Sequence, residues 1–148
     1  MPESDELIVF DRRAGRVPRR PLRDFASRLR QEVAGGGGFL CLITGDGELR
    51  RLNRQFLGKD AATDVLSFPE PGPDGFLGEL AVSADRARQQ ARSAGHGVEQ
   101  EIEILMLHGL LHLLGFDHET DRGRMARQET RWRKRLGLPA GLIERSRR

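Results

Sequence analysis

The sequence predicts one α+β domain over residues 1–148, a small mixed four-stranded sheet packed by about five helices. Three observations predict it. Short apolar runs of strand length alternate with longer stretches of helical period. No internal repeat and no domain linker divides the 148 residues, a length that suits one domain with a real core. Residues 98–114 are apolar nearly all round, which marks a central, buried helix.

The elements follow in order. Leu7-Ile-Val-Phe10 reads as a short first strand. After Pro21, residues Leu22, Phe25, Leu29 and Val33 recur at helical spacing, and Gly35 to Gly38 stop that helix. The glycine run lacks the Lys-Ser/Thr that would follow in a phosphate loop. Phe39 to Thr44 is a continuous apolar run and reads as a buried strand. Asp46-Gly-Glu-Leu49 opens a second helix to about Leu57, with Leu49, Leu52 and Phe56 inward. Asp64 to Phe68 is a third strand, ended by Pro69 and the Pro/Gly loop to Gly75. Phe76 to Ser83 is a fourth, able to pair with the third as a hairpin. Ser83 caps a helix to about Ala94, and Gly95-His-Gly97 breaks it. Val98 to Leu114 is the long helix. Asp121 caps a final basic helix to about Leu136, after which a polar, basic tail over about 137–148 is expected to be flexible.

Composition narrows the function. Hydrophobic content of 37% and a mean hydropathy of −0.54 fit a soluble globular chain. No apolar run approaches the ~20 residues that a membrane span needs. The acidic start, Met-Pro-Glu-Ser-Asp-Glu, is neither a signal nor a transit peptide, so the cytoplasm is the expected compartment and no membrane partner is expected. The single cysteine, Cys41, lies in Phe39-Leu-Cys-Leu-Ile43 and reads as a buried core thiol. Net charge is only +3, but it is unevenly spread. Residues 122–148 carry a local net of +8 and residues 12–30 a net of +7, around an acidic remainder. Two basic ends point to a polyanion partner such as nucleic acid.

The chemistry concentrates in His108-Gly-Leu-Leu-His112-Leu-Leu-Gly115-Phe-Asp-His118. Three of the four histidines fall in eleven residues, spaced H-x3-H-x5-H. A helix places the first two on one face, a turn apart, where they can chelate one metal ion. Gly115 can end the helix in a left-handed conformation and let the chain double back, bringing His118 to the same ion. Three neutral imidazoles leave a fourth coordination position open, the mark of catalytic zinc. The spacing matches the metzincin protease pattern H-E-x-x-H-x-x-G-x-x-H, except that Gly109 stands in place of the general-base Glu. Peptide hydrolysis is therefore disfavoured.

With Leu52-Asn-Arg-Gln-Phe56, Thr63-Asp-Val-Leu-Ser-Phe68 and Leu77-Gly-Glu-Leu-Ala-Val-Ser83 upstream, the histidine segment resembles the signature of the YbeY family of bacterial metal-dependent endoribonucleases. Met125 and Glu129 sit where that family's next helix carries them, so the resemblance spans roughly residues 40–135. It implies a zincin-like α+β fold with a metal helix, and one zinc ion per chain held by His108, His112 and His118. It implies a single-strand-specific endoribonuclease acting in maturation of the 3′ end of 16S ribosomal RNA and in late ribosome quality control. The implied partners are single-stranded RNA and the small ribosomal subunit. One position departs: Leu57 stands where the family has an Arg after the aromatic of the Asn block. Arginine can hold a phosphate or stabilise a transition state and leucine cannot, so Lys59, Arg54 or another cation substitutes, or catalysis is weak.

The remaining candidates are less specific. Asp117 either supports His118 or begins a turn, and Lys59 is a candidate catalytic cation. Arg54, Arg122, Arg124 and Arg131 are candidate RNA contacts, and Trp132 or Phe116 can stack a base if they are not core anchors. Thr63, Asp64 and Ser67 are candidates to line the cleft. Glu79 faces either metal or solvent; Glu101 lies either near the histidine face or exposed in the first helical turn; His96 reads as an exposed loop residue. Two alternatives stay open: a ribosome-assembly factor with a mainly structural zinc and little catalysis, or a zinc hydrolase of another substrate.

Overall fold

The computed structural model describes residues 7–117 and 119–146. Four strands form one sheet in the order β1-β2-β4-β3: β1 Ile8–Phe10, β2 Phe39–Thr44, β3 Val65–Pro69 and β4 Gly78–Ser83. The first three in that order run parallel, and β3 lies antiparallel on the edge as the expected hairpin partner of β4. Six α-helices among the described residues surround them: α1 Arg19–Arg28, α2 Asp46–Leu57, α3 Ala84–Ala94, α4 Val98–Leu113, α5 Arg124–Leu136 and α6 Leu142–Ser146. A wider π-helical turn, Leu29–Val33, extends α1.

Alternation along the strands sorts residues between the two faces. Phe39, Cys41, Ile43, Leu80 and Val82 enter the large core with α1, α3 and α4, whereas Leu66 and Ala81 pack with Leu49 of α2 in a smaller cluster. Every residue of α4 from Glu101 to Leu111 is buried. Ile102, Leu105, Met106 and Leu110 are completely so, each contributing about 1.5–3 kcal/mol through the hydrophobic effect. At Gly109 this helix comes hard against the sheet. A Cβ there would lie 2.8 Å from Leu80 Cδ2 and 3.2 Å from Val65 Cγ2, and the Gly109 carbonyl accepts a 3.1 Å bond from Ser67 Oγ. Ser83 caps α3 as its position predicts, accepting from the Arg86 N–H at 3.1 Å.

The structure departs from the sequence reading at four places. Phe56 is 58% exposed rather than inward and meets Phe68 edge-on, because α2 turns its Leu49 and Leu52 side to the sheet. The N-cap of α5 is Gly123, although Asp121 still serves the helix by accepting from the Met125 N–H at 2.8 Å. His96 is largely buried, its Nε2 2.7 Å from Oε1 of the fully buried Glu101. The described part of the expected tail forms α6, with Leu138 and Ile143 in the core. Charge pairing holds it there. Glu144 takes a bidentate contact from Arg133, which holds its carboxyl at about 2, well below the usual range. Arg145 makes a second bidentate contact, with Glu101.

Candidate metal centre

A cleft of about 430 Å³ opens between the edge strand and the C-terminal half of α4. Asp64–Ser67 and Pro69 form one wall; His108, His112 and then Gly115–Asp117 form the other. The two histidines project from successive turns with ring centroids 4.9 Å apart, as the four-residue spacing predicts. Gly115 takes φ 99°, which an L side chain rarely adopts, and its N–H bonds the His112 carbonyl while the Phe116 N–H bonds that of Leu111. The chain therefore does double back after α4. His118, the third expected ligand, lies outside the described residues, and among the described residues no group of three His, Cys, Asp or Glu side chains is placed to hold a metal.

A carboxylate from another helix supports the pair. Glu129 of α5, 1% exposed, places Oε2 2.8 Å from His108 Nδ1 and accepts the Ile143 N–H on Oε1 at 2.8 Å. With a carboxylate as its partner, Nδ1 carries the ring proton, so Nε2 is the nitrogen through which His108 would bind a metal. A ligand histidine oriented by an outer carboxylate is a recurrent feature of zinc sites. The donor chemistry thus fits zinc. Sequence reasoning assigned Glu129 no role. The signal was there: Glu129 is the sole acid between Arg124 and Leu136, and it shares the buried face with Met125 and Ala126. A carboxylate on that face needs a buried partner.

The other candidates divide clearly. Asp64 lines the cleft, with Oδ1 accepting its neighbour Val65 N–H and Oδ2 accepting from Gln90 Nε2 at 3.1 Å. Ser67 lines it too, whereas Thr63, whose Oγ1 donates to Asp64 Oδ1 at 3.4 Å, does not. Asp117 lines the cleft and begins a turn, accepting the Glu119 N–H. Lys59, Arg54 and Leu57 are exposed around the end of α2 and do not line the cleft. Indeed no Lys or Arg among the described residues does. Arg124 has its guanidinium 5.5 Å from the ring centre of Phe116, which is a cleft wall as well as a core neighbour. Arg131 stacks on Trp132 instead, and Arg122 sits in the turn before α5 at φ 58°. Glu79 is exposed, and the alternation of β4 turns it away from α4. Glu101 serves His96 and Arg145, outside the cleft.

A family model described as Endoribonuclease YbeY matches residues 25–137, which include the whole cleft. The chain belongs to the YbeY family. An Endoribonuclease YbeY from Solibacter usitatus is 67% identical over 138 residues, covering 93% of this chain and 92% of the relative. One from Koribacter versatilis is 44% identical over 95% of this chain and 91% of its own length. The solution structure of the Thermotoga maritima protein TM1509 superposes with a TM-score of 0.58 at 27% identity, covering 84% of this chain and 85% of that one. The YbeY match ends at residue 137, so α6 lies beyond it. Gly109, the residue that separates this motif from the protease pattern, has a packing reason here: a Cβ would press on Leu80 and Val65 of the sheet.

Proposed function

We propose that the chain is a zinc-dependent, single-strand-specific endoribonuclease that acts in maturation of the 3′ end of 16S ribosomal RNA and in late ribosome quality control. The observation that carries the reading is the His108–His112 pair in an open cleft, with His108 oriented by the buried Glu129. Its activity class rests on the YbeY relatives, which are named endoribonucleases. His108, His112 and His118 would hold the zinc. When bound, the ion supplies a Lewis acid toward the scissile phosphodiester. Glu129 keeps the His108 ring in one tautomer and orientation. Phe116 offers an aromatic wall, and Arg124 above it brings positive charge to the rim, a combination that suits an unpaired base and its phosphate. The basic surface of α5, with Arg131 and Arg135 about Trp132, and the arginines of 12–30 would follow the flanking backbone. The partners are single-stranded RNA and the small ribosomal subunit.

One observation favours a second reading. Leu57 is 51% exposed and no cation lines the cleft among the described residues, so a ribosome-assembly factor with a mainly structural zinc fits as well. Zinc content paired with cleavage of a single-stranded RNA separates the two. The expected result is one zinc per chain, metal-dependent cleavage, and loss of both in a folded His112→Ala variant. Cleavage by His112→Ala at the parental rate refutes the catalytic zinc. Ribosome co-sedimentation without cleavage, and a large gain on Leu57→Arg, favour the assembly factor.

A further inference from the structure

We infer that the C-terminal segment Gly141–Arg145 is a positioning element for the metal ligand His108, acting through Glu129. The inference rests on the zinc reading above for its consequence, but its geometry stands alone. A continuous line of contacts runs from the C-terminal helix to the cleft. The Ile143 N–H donates to Glu129 Oε1 at 2.8 Å, and the other oxygen of that carboxylate meets His108 Nδ1 at 2.8 Å. Gly141 lies against the same side chain so closely that a Cβ would collide with the carboxyl carbon of Glu129, at 2.7 Å. The segment thus covers one side of Glu129 and leaves the carboxylate its direction toward His108.

Two ion pairs outside this line keep the segment docked. Arg145 reaches back to the N-terminal part of α4, where its two terminal nitrogens meet the two oxygens of Glu101 at 3.0 and 2.8 Å. Glu101 is fully buried, so it also needs that partner. Arg133 fixes Glu144 by two 2.8 Å bonds, and Glu144 in turn accepts the Gly141 N–H at 3.0 Å. Both tethers fix the backbone that carries the Ile143 donor. Metal-site partners beyond the ligands set ligand orientation and basicity, and their loss typically costs about 10–100-fold in metal affinity. Arg145 and Gly141 contact no ligand; they act through Ile143 and Glu129. They are positioning residues, and they lie beyond the region that the family model matches.

The test uses the full chain and compares the parent with Gly141→Ala, Arg145→Met and Arg145→Lys, and with Arg92→Met as a control for lost positive charge. Zinc affinity is read by competition with a chromogenic chelator, and circular dichroism reports whether each variant is folded. In the zinc-free protein, proton and nitrogen NMR reads the exchange-protected Nδ1–H of His108. The expected result is a roughly tenfold or greater loss of zinc affinity in Gly141→Ala and Arg145→Met, a smaller loss in Arg145→Lys and none in Arg92→Met. The Nδ1–H resonance should shift or exchange faster in the same order. Arg145→Lys keeps a charge beside Glu101 and so guards against loss of fold. Folded variants with parental zinc affinity and an unchanged Nδ1–H resonance overturn the inference. A parent that retains no zinc sinks the metal reading, and the inference then stands or falls on the resonance alone.

Discussion

Gly109→Ala puts the closest helix–sheet contact to the test, because two effects of opposite sign meet there. Alanine in a helix interior is favoured over glycine by about 1 kcal/mol, so an uncrowded site would be stabilised. This site is crowded. The new Cβ would stand 2.8 Å from Leu80 Cδ2, 3.2 Å from Val65 Cγ2 and 3.3 Å from Ser67 Oγ. Leu80 is 1% exposed, so either these side chains or α4 itself must give by a few tenths of an ångström within a packed core. Overpacking of this kind costs about 1–3 kcal/mol, and the Ser67–Gly109 bond lengthens with it. The net expectation is a loss of up to about 2 kcal/mol, or up to roughly 8 °C in Tm for a domain of this size. Urea and thermal unfolding monitored by circular dichroism measure it. A variant more stable than the parent would refute the reasoning, since propensity would then outweigh contact. The same geometry predicts that Gly109→Glu disrupts folding rather than restoring a protease base.

Three further outcomes are expected. In Glu129→Gln, an amide oxygen facing the Ile143 N–H turns the NH2 toward His108 Nδ1 and reverses the tautomer, so zinc affinity should drop about 10–100-fold in chelator competition; parental affinity would contradict the role of Glu129. Glu103 is pushed up to about 7 by burial, with Glu99 adding to the shift and Arg28 opposing it. The folded chain thus keeps a proton that the unfolded chain releases near its ordinary value of 4.5, and stability falls as pH rises from about 4.5 to 7. Glu103→Gln removes that loss, so it should gain about 1–2 kcal/mol on the parent between pH 4.5 and 8 by urea unfolding, and a pH-independent difference would count against it. Burial pushes the Cys41 thiol up to about 12, so a thiol reagent at pH 8 should label it only as fast as the chain unfolds.

Much of the architecture was legible because local patterns carry it. The strand Phe39–Thr44 comes from an apolar run with clear stops, β3 lies one residue beyond the expected Asp64 to Phe68 and takes in Pro69 at the sheet edge, and α2 lies over Asp46–Leu57 as its period requires. Phe56 was misplaced because a helix with apolar residues on more than one side does not say which side meets the sheet. The sequence reads His96 as an exposed loop residue and leaves Glu101 either near the histidine face or exposed in the first helical turn. In the fold they meet directly at 2.7 Å, and Arg145 of α6 returns to pair with Glu101. The tail has no legible structure in the sequence because Leu142 and Ile143 are too few to show a period.

The sequence by itself determined the two histidines of one helical face and the glycine that turns the chain after them. These follow from spacings of a few residues, which helix geometry converts directly into position. Tertiary structure alone decided what supports and surrounds that pair. Glu129 reaches His108 from 21 residues away, and the Ile143 N–H reaches Glu129 from 14. Gly109 is required by side chains of strands 29 or more residues upstream of it. Such contacts depend on how helices and sheet pack in space, and no local pattern encodes their distances.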